Sequence, residues 1–335
     1  MKFSVIICTY MRAQPLANLL ESIGLQSSYP HEIIIVDGST NVETANLLAS
    51  KTIPNLQYFL VDSSQRGLTK QRNFGISKVA DDIDVICFLD DDTYLATDYF
   101  FQLIQTYTEY PEALGVGGFI SNESHWEAVS PHYHPTIHEF YFDGYKKQDG
   151  SRFVLRKRLG LDANVPPGFL PRFSHGRSVA FLPPSGKIYA VDQLMGGVAS
   201  YKKSVFDRFQ FSTYFQGYGL YEDADFSLRV SKTGPLFINT RAQLAHYHEY
   251  SGRPNAYVYG KMVVRNGWFV WRVKWPNPRW NDRLKWNSIC FLLTLIRFSN
   301  TFTTAHKKEA WLEAWGRTIG WWSLLFNSPK PSNSK

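Results

Sequence analysis

The first ninety residues constrain this chain most. Residues 4–8, 33–36, 58–61 and 85–89 are short, unbroken apolar runs rich in Val, Ile and Phe. A strand with one wet face alternates apolar and polar residues. An unbroken run marks a strand covered on both faces, as in a parallel sheet. Segments of helical length, 15–26, 42–50 and 68–80, lie between the runs. Leu16, Leu19, Leu20 and Ile23 recur at helical spacing, and Pro15 suits a first helical turn. Strand–helix–strand repetition with right-handed crossovers predicts an α/β fold with a doubly wound, mostly parallel sheet.

Ligands of such sheets bind beyond the carboxyl ends of the strands. Here those ends read Thr9-Tyr10-Met11-Arg12, Asp37-Gly38-Ser39-Thr40, Asp62 to Gly67, and Asp90-Asp91-Asp92-Thr93. All are polar, and three begin with a carboxylate. Adjacent carboxylates repel, so a run of three at a strand end is costly unless a cation or solvent compensates. Side chains at i and i+2 of an extended segment point the same way, so Asp90 and Asp92 can share one hard cation. Mg²⁺ or Mn²⁺ suits oxygen ligands and diphosphates.

Two downstream clusters add to this. Glu222-Asp223-Ala224-Asp225 opens a helical segment behind a Gly-, Tyr- and Phe-rich approach, residues 214–219, suited to walling a ring-shaped ligand. A carboxylate there can serve as general base on an acceptor hydroxyl. His246 and His248 follow another apolar stretch, 236–244, and either can bring a nitrogen to the same cation.

Five segments in order resemble the motifs of glycosyltransferase family 2: residues 4–12, the turn at 36–40, Arg66-Gly67 through Arg72-Asn73-Phe74-Gly75, residues 88–92, and residues 221–225. The resemblance covers about residues 3–255. It implies the GT-A fold, a divalent cation at a D-x-D motif, and inverting transfer from a nucleotide-diphospho-sugar to a hydroxyl. It places Thr9 and Arg12 in the nucleotide pocket, Asp37 on the base or ribose, and Arg66 and Lys70 near the base or diphosphate. Asp90 faces the ribose and the cation, Asp92 is the main metal carboxylate, and His246 completes that site. Asp223 matches the catalytic base, with Glu222, Asp225 and Gly197 on the acceptor side. The chain departs from the family at Cys8, where proline is usual, and in an Asp37 turn one residue shorter than the common form.

On this reading, residues 1–260 are the catalytic domain, 1–120 the nucleotide-sugar half and 121–260 the acceptor half. The stretch 121–190 is rich in Pro, Gly, His and aromatics without sustained periodicity, which marks a functional segment or lid. Residues 261–330 form a helical, basic, Trp-rich extension. From Lys261 onward there are thirteen Lys/Arg against three Asp/Glu, a charge of +10 within a total of +7, and nine of the ten tryptophans. Trp311, Trp315, Ile319, Trp322 and Leu325 fall on one helical face. That face packs on the body, meets a second subunit in a homo-oligomer, or lies peripherally in a membrane interface, which would suit a lipid-linked saccharide acceptor. Basic residues interleaved with bulky apolar ones exclude a nucleic-acid partner. Three scattered cysteines and no signal-peptide core predict a cytoplasmic protein with free thiols, held on the cytoplasmic face of the membrane if the extension lies in its interface. The expected role is hexosyl or deoxyhexosyl transfer in surface polysaccharide or glycolipid synthesis. The rivals are a sugar-phosphate nucleotidyltransferase, which would want a glycine-rich phosphate loop after the first strand, and a non-catalytic nucleotide-sugar scaffold.

Overall fold

The apolar runs become strands: residues 3–7, 32–37 and 85–89 are buried, as an unbroken run predicts, whereas 56–60 lies at the edge of its sheet and is only partly covered. The computed structural model describes residues 1–247 and 254–331. The chain begins β1 (Phe3–Thr9), α1 (Ala13–Gly24), β2 (Glu32–Asp37), α2 (Glu43–Ala49), β3 (Leu56–Leu60), α3 (Leu68–Ile76), β4 (Val85–Asp90) and β5 (Thr93–Leu95). It continues with α4 (Tyr99–Glu109), β6 (Gly115–Ile120), β7 (Glu127–Ala128), β8 (Glu139–Phe142), β9 (Tyr145–Gln148) and α5 (Ser151–Arg158). Then come β10 (Ile188–Val191), β11 (Val198–Lys202), α6 (Glu222–Val230), β12 (Leu236–His246), α7 (Ala256–Lys274), α8 (Trp280–Thr303) and α9 (Lys307–Phe326). These elements pack as two compact units, one formed by residues up to 124 with 182 through β12, the other by 125–181 with the described residues from 254.

The first unit holds a sheet in the order β10-β12-β6-β11-β4-β1-β2-β3, with β5 beside β12. Among the described residues six of its nine strands run the same way; β5, β10 and β11 oppose them. The fold is therefore mixed α/β with a mostly parallel central sheet, as the repetition of runs predicts. Alternate residues divide between the two faces. Val5, Ile7, Ile33, Ile35, Cys87 and Leu89 bury one face against Leu16, Leu19 and Ile23 of α1 and Phe100 and Leu103 of α4. On the other face Phe88 meets an aromatic cluster: Phe211 stacks on Phe226 of α6 at 4.2 Å between centroids, and Phe206 and Tyr201 close around them. This cluster seats the helix that carries Glu222, Asp223 and Asp225.

In the second unit β7, β9 and β8 form a small antiparallel sheet. Residues 121–190 thus contain structure that their pattern concealed, since strands of two to four residues are too short to show a period. Arg177 explains the local richness in Phe. Its guanidinium makes a two-point contact with Asp149 at 2.7 and 2.9 Å, reaches Asp162 at 2.9 Å, and lies against the rings of Phe140, Phe153 and Phe181. The division in space differs from one drawn along the chain at 260, because segment 125–181 packs with the C-terminal helices. Trp271 donates to the Arg172 carbonyl at 2.8 Å and Trp275 to that of Leu170 at 3.3 Å. Trp271 and Trp286 stack at 5.5 Å with planes 3° apart, and Trp268 stands edge-on to both. All three cysteines are free, and burial pushes the Cys290 thiol up to about 12.

Phe226 is fully buried beneath the acidic helix. Phe226→Ala is expected to cost about 3–5 kcal/mol, as other buried Phe truncations do. Urea unfolding followed by circular dichroism measures this; a loss below about 1 kcal/mol would mean the cluster does not anchor α6.

Candidate functional site

Sheet register assembles the site. Cys8 of β1 pairs with Asp90 of β4, and Thr9 pairs with Asp37 of β2, so three strands end level at one edge. β11 runs antiparallel to β4 and brings Gly197 alongside, its carbonyl accepting from the Asp90 N–H at 3.1 Å. The chain after Asp92 turns into β5, whose Thr93 lies opposite His246 of β12. One ligand atom each from Asp90, Asp92 and His246 therefore falls within 4.8 Å of the others. His246 Nε2 is 3.0 Å from Asp92 Oδ1, and its Nδ1 is 3.2 Å from Glu123 Oε1. Burial would lower the His246 pKa, but the hydrogen bonds to Asp92 and Glu123 and the nearby Asp90 raise it to about 10. Two carboxylates and an imidazole oriented by a further carboxylate make a fitting donor set for Mn²⁺ or Mg²⁺, with the nitrogen favouring Mn²⁺. His248 lies outside the described residues.

Two guanidiniums hold the crowded carboxylates. Arg12 donates to Asp91 at 3.1 Å and to Asp92 at 3.3 Å. Asp91 also accepts from the Thr9 hydroxyl at 2.7 Å and is buried. Burial pushes its carboxyl up to about 6 despite Thr9 and Arg12. Asp91 thus points into the protein, apart from the Asp90–Asp92–His246 set. Arg72, 3 % exposed, donates to the Glu222 carboxylate and lies 3.5 Å from Asp90, backed by the rings of Phe88 and Phe211. Burial raises the Glu222 pKa while Arg72 opposes it, and Glu222 Oε2 is buried without a hydrogen-bond partner.

Gly196 and Gly197 make this packing possible. A Cβ on Gly197 would overlap the Asp90 carboxylate, and one on Gly196 would lie 2.6 Å from Glu222 Oε1 and 2.7 Å from the Arg72 guanidinium. The same dipeptide reaches Asp223, whose Oδ2 accepts from the Gly196 N–H at 3.2 Å and whose Oδ1 accepts from the Ala224 N–H at 2.7 Å. Burial raises the Asp223 pKa against these two donors. Of the three acids in the first turn of α6, Asp223 is half-buried, whereas Glu222 and Asp225 are buried. Asp225 is paired with Arg229 at 2.8 Å, one turn along the helix.

The remaining predicted residues gather at the same edge with much of their bonding turned inward. Asp37 is fully buried; it accepts from the Ser39 N–H at 2.7 Å and the Tyr58 hydroxyl at 2.9 Å. Arg66 donates to the Gly38 carbonyl at 2.7 Å and lies over Tyr10, while Lys70 donates to the Ser64 carbonyl at 2.8 Å. Tyr10, Tyr214, Tyr218 and Tyr221 are exposed. Tyr221 (φ 70°) and Met11 (φ 58°) occupy the left-handed region beside α6 and β1, a conformation that costs about 1–3 kcal/mol and concentrates at functional sites. The structure adds Arg72, Gly196 and Glu123, to which sequence reasoning gave no role. Arg72 stood within a recognised motif, but nothing in its surroundings there signals burial. Glu123 sits in an irregular loop and carries no sequence signal.

This edge geometry joins a sequence relationship. A model described as Glycosyl transferase family 2 matches residues 4–161. Over 144 residues the chain is 28% identical to the glucosyl-dolichyl phosphate glucuronosyltransferase of Haloferax volcanii, covering 42% of this chain and 44% of that protein. Over 96 residues it is 34% identical to the O-antigen chain rhamnosyltransferase RfbN of Salmonella typhimurium, covering 29% and 30%. The chain thus spans less than half the length of these relatives. A crystal structure of GalNAc-T7 with UDP, GalNAc and Mn2+ superimposes with a TM-score of 0.54 at 16% identity, covering 79% of this chain and 48% of that one. The fold is that of the GT-A enzymes.

Gly197→Ala is expected to displace the Asp90 carboxylate and weaken Mn²⁺ binding by about 10–100-fold, as changes behind a metal ligand typically do. Titration calorimetry measures it, and unchanged affinity would remove Asp90 from the cation-binding set.

Proposed function

We propose that this chain is an inverting glycosyltransferase that moves a sugar from a nucleotide-diphospho-sugar to a hydroxyl of a saccharide or lipid-linked saccharide in glycan synthesis. The observation that carries this reading is the Gly196–Gly197 dipeptide, with Asp90 against Gly197 and Asp223 bonded to Gly196. A cation-ready carboxylate and a separate carboxylate thus face one strand edge. Transfer needs both, one where charge builds on the departing diphosphate and one where the acceptor loses its proton. The family 2 match and the glycosyltransferase relatives support the same reaction class.

In this mechanism the acceptor oxygen attacks the anomeric carbon opposite the leaving nucleoside diphosphate, and the configuration inverts. Asp223 takes the hydroxyl proton; its raised pKa makes it a better acceptor than an ordinary surface aspartate. Asp90, Asp92 and His246 would hold a divalent cation, which when bound supplies positive charge to the diphosphate. Arg72 keeps Asp90 and Glu222 in place, and Arg12 does the same for Asp91 and Asp92. Thr9, Asp37, Arg66 and Lys70 shape the nucleotide side; for Thr9 and Asp37 this role is to build the loops that the nucleotide meets. The exposed tyrosines near α6 offer ring faces to a sugar.

A panel of nucleotide sugars assayed with Mn²⁺ tests the reading. Release of nucleoside diphosphate on adding acceptor supports transfer; consumption of added pyrophosphate with release of nucleoside triphosphate and sugar 1-phosphate would indicate a nucleotidyltransferase, and neither reaction a binding scaffold. Asp223→Asn is expected to lower turnover by about 10²–10⁴-fold while leaving donor affinity unchanged. Normal turnover in that variant would move the base elsewhere.

A further inference from the structure

We infer that the outward faces of α8 and α9 are a docking surface for an anionic lipid membrane. This goes beyond the transfer reading and does not rest on it. On α8, Trp280 is 75% exposed and Phe302 84%, with Leu284, Phe291 and Leu295 exposed between them. Their steps of four and seven align them in one stripe about 33 Å long at 1.5 Å per residue. The opposite side of α8, Trp286, Ile289, Cys290 and Thr294, is buried. α9 repeats the arrangement: Trp311, Trp315, Trp322, Leu325 and Phe326 are exposed, whereas Ala310, Ala314, Gly316 and Gly320 are buried. Trp321 of α9 touches Phe291 at 6.1 Å and donates to Asn287 at 2.8 Å, which ties α9 to the edge of the α8 stripe. Each helix has already satisfied its packing and still shows a second apolar face. A self-contained soluble domain rarely leaves so much of this surface in water.

Charge identifies the occupant. From Lys261 onward there are thirteen Lys/Arg and three Asp/Glu. Glu313 is engaged by Arg297 at 2.7 Å and Arg317 at 2.8 Å, and Asp282 by the N-terminus of α8. Arg279, Arg283, Lys285, Lys307 and Lys308 are exposed beside the stripes. A second copy on this face would bring the same positive charge to it. Anionic headgroups complement that charge, and the headgroup–acyl boundary accommodates Trp, Phe and Leu with snorkelling Lys and Arg. No described helix is long and apolar enough to cross a membrane, so the helices lie along its surface.

The test floats the full chain with phosphatidylcholine vesicles and with phosphatidylcholine–phosphatidylglycerol vesicles, without donor or acceptor. The chain should partition onto the anionic vesicles. Binding should fall by about tenfold or more on neutral vesicles and in a Leu284→Glu/Leu295→Glu/Phe302→Glu variant. Circular dichroism checks that the variant keeps its helices, and Phe302→Glu alone, at a highly exposed position, replaces it if the triple variant misfolds. Equal flotation of variant and wild type, or equal binding to neutral vesicles, overturns the proposal. So does a stripe-dependent dimer in sedimentation equilibrium with no vesicle binding, which would give the face to a second copy.

Discussion

The site depends on one guanidinium placed where two acids would otherwise confront each other. Arg72 is buried on the aromatic floor formed by Phe88 and Phe211, and it serves Glu222 on one side and Asp90 on the other. Removing a charge of this kind from water costs several kcal/mol unless paired, and pairing with one carboxylate would leave the second uncompensated. Sharing links α6 to the end of β4 electrostatically. Arg12 repeats the device at the next residues, between Asp91 and Asp92. The acidic triplet is tolerable because each of its members has a different cationic neighbour or hydrogen-bond donor.

The aromatic residues under α6 belong to the same argument. Charged groups held in low dielectric need a rigid floor, since a shift of an ångström would strand one of them without its partner. Phe226, Phe211 and Phe206 give α6 that floor, and the small Gly196–Gly197 step lets β11 approach Asp90 without displacing it. Packing and electrostatics are satisfied by the same few side chains.

Much of this was legible in the sequence. The four apolar runs marked the strands, and their polar ends marked the edge where Asp37, Asp90 and Asp92 gather, because both signals are local and each spans four or more residues. The acidic first turn of α6 was also visible. The antiparallel strands β10 and β11 were not, since β10 pairs with β12 about fifty residues further on and β11 with β4 and β6 about eighty to a hundred and twenty residues back. Nor was the inward turn of Thr9, Asp37 and Asp225: a residue type at a strand or helix end says that a polar group is present, not which way it bonds. The hairpin of β8 and β9 escaped for another reason. Its core is organised around Arg177, a cation that sequence pattern alone would place on the surface.

The pairing of β5 with β12 limits how the chain can vary. Thr93 lies opposite His246, and Asp92 precedes Thr93 directly, so the acid-to-imidazole distance is set by counting residues along two hydrogen-bonded strands. A slip of one residue would send the His246 side chain through to the other face of the sheet. Loops elsewhere can lengthen at little cost, but the segment from Asp90 to Leu95 is gauged like the teeth of a rack. The spacing of Asp90, Asp92 and His246 is accordingly set by strand register and not by loop conformation.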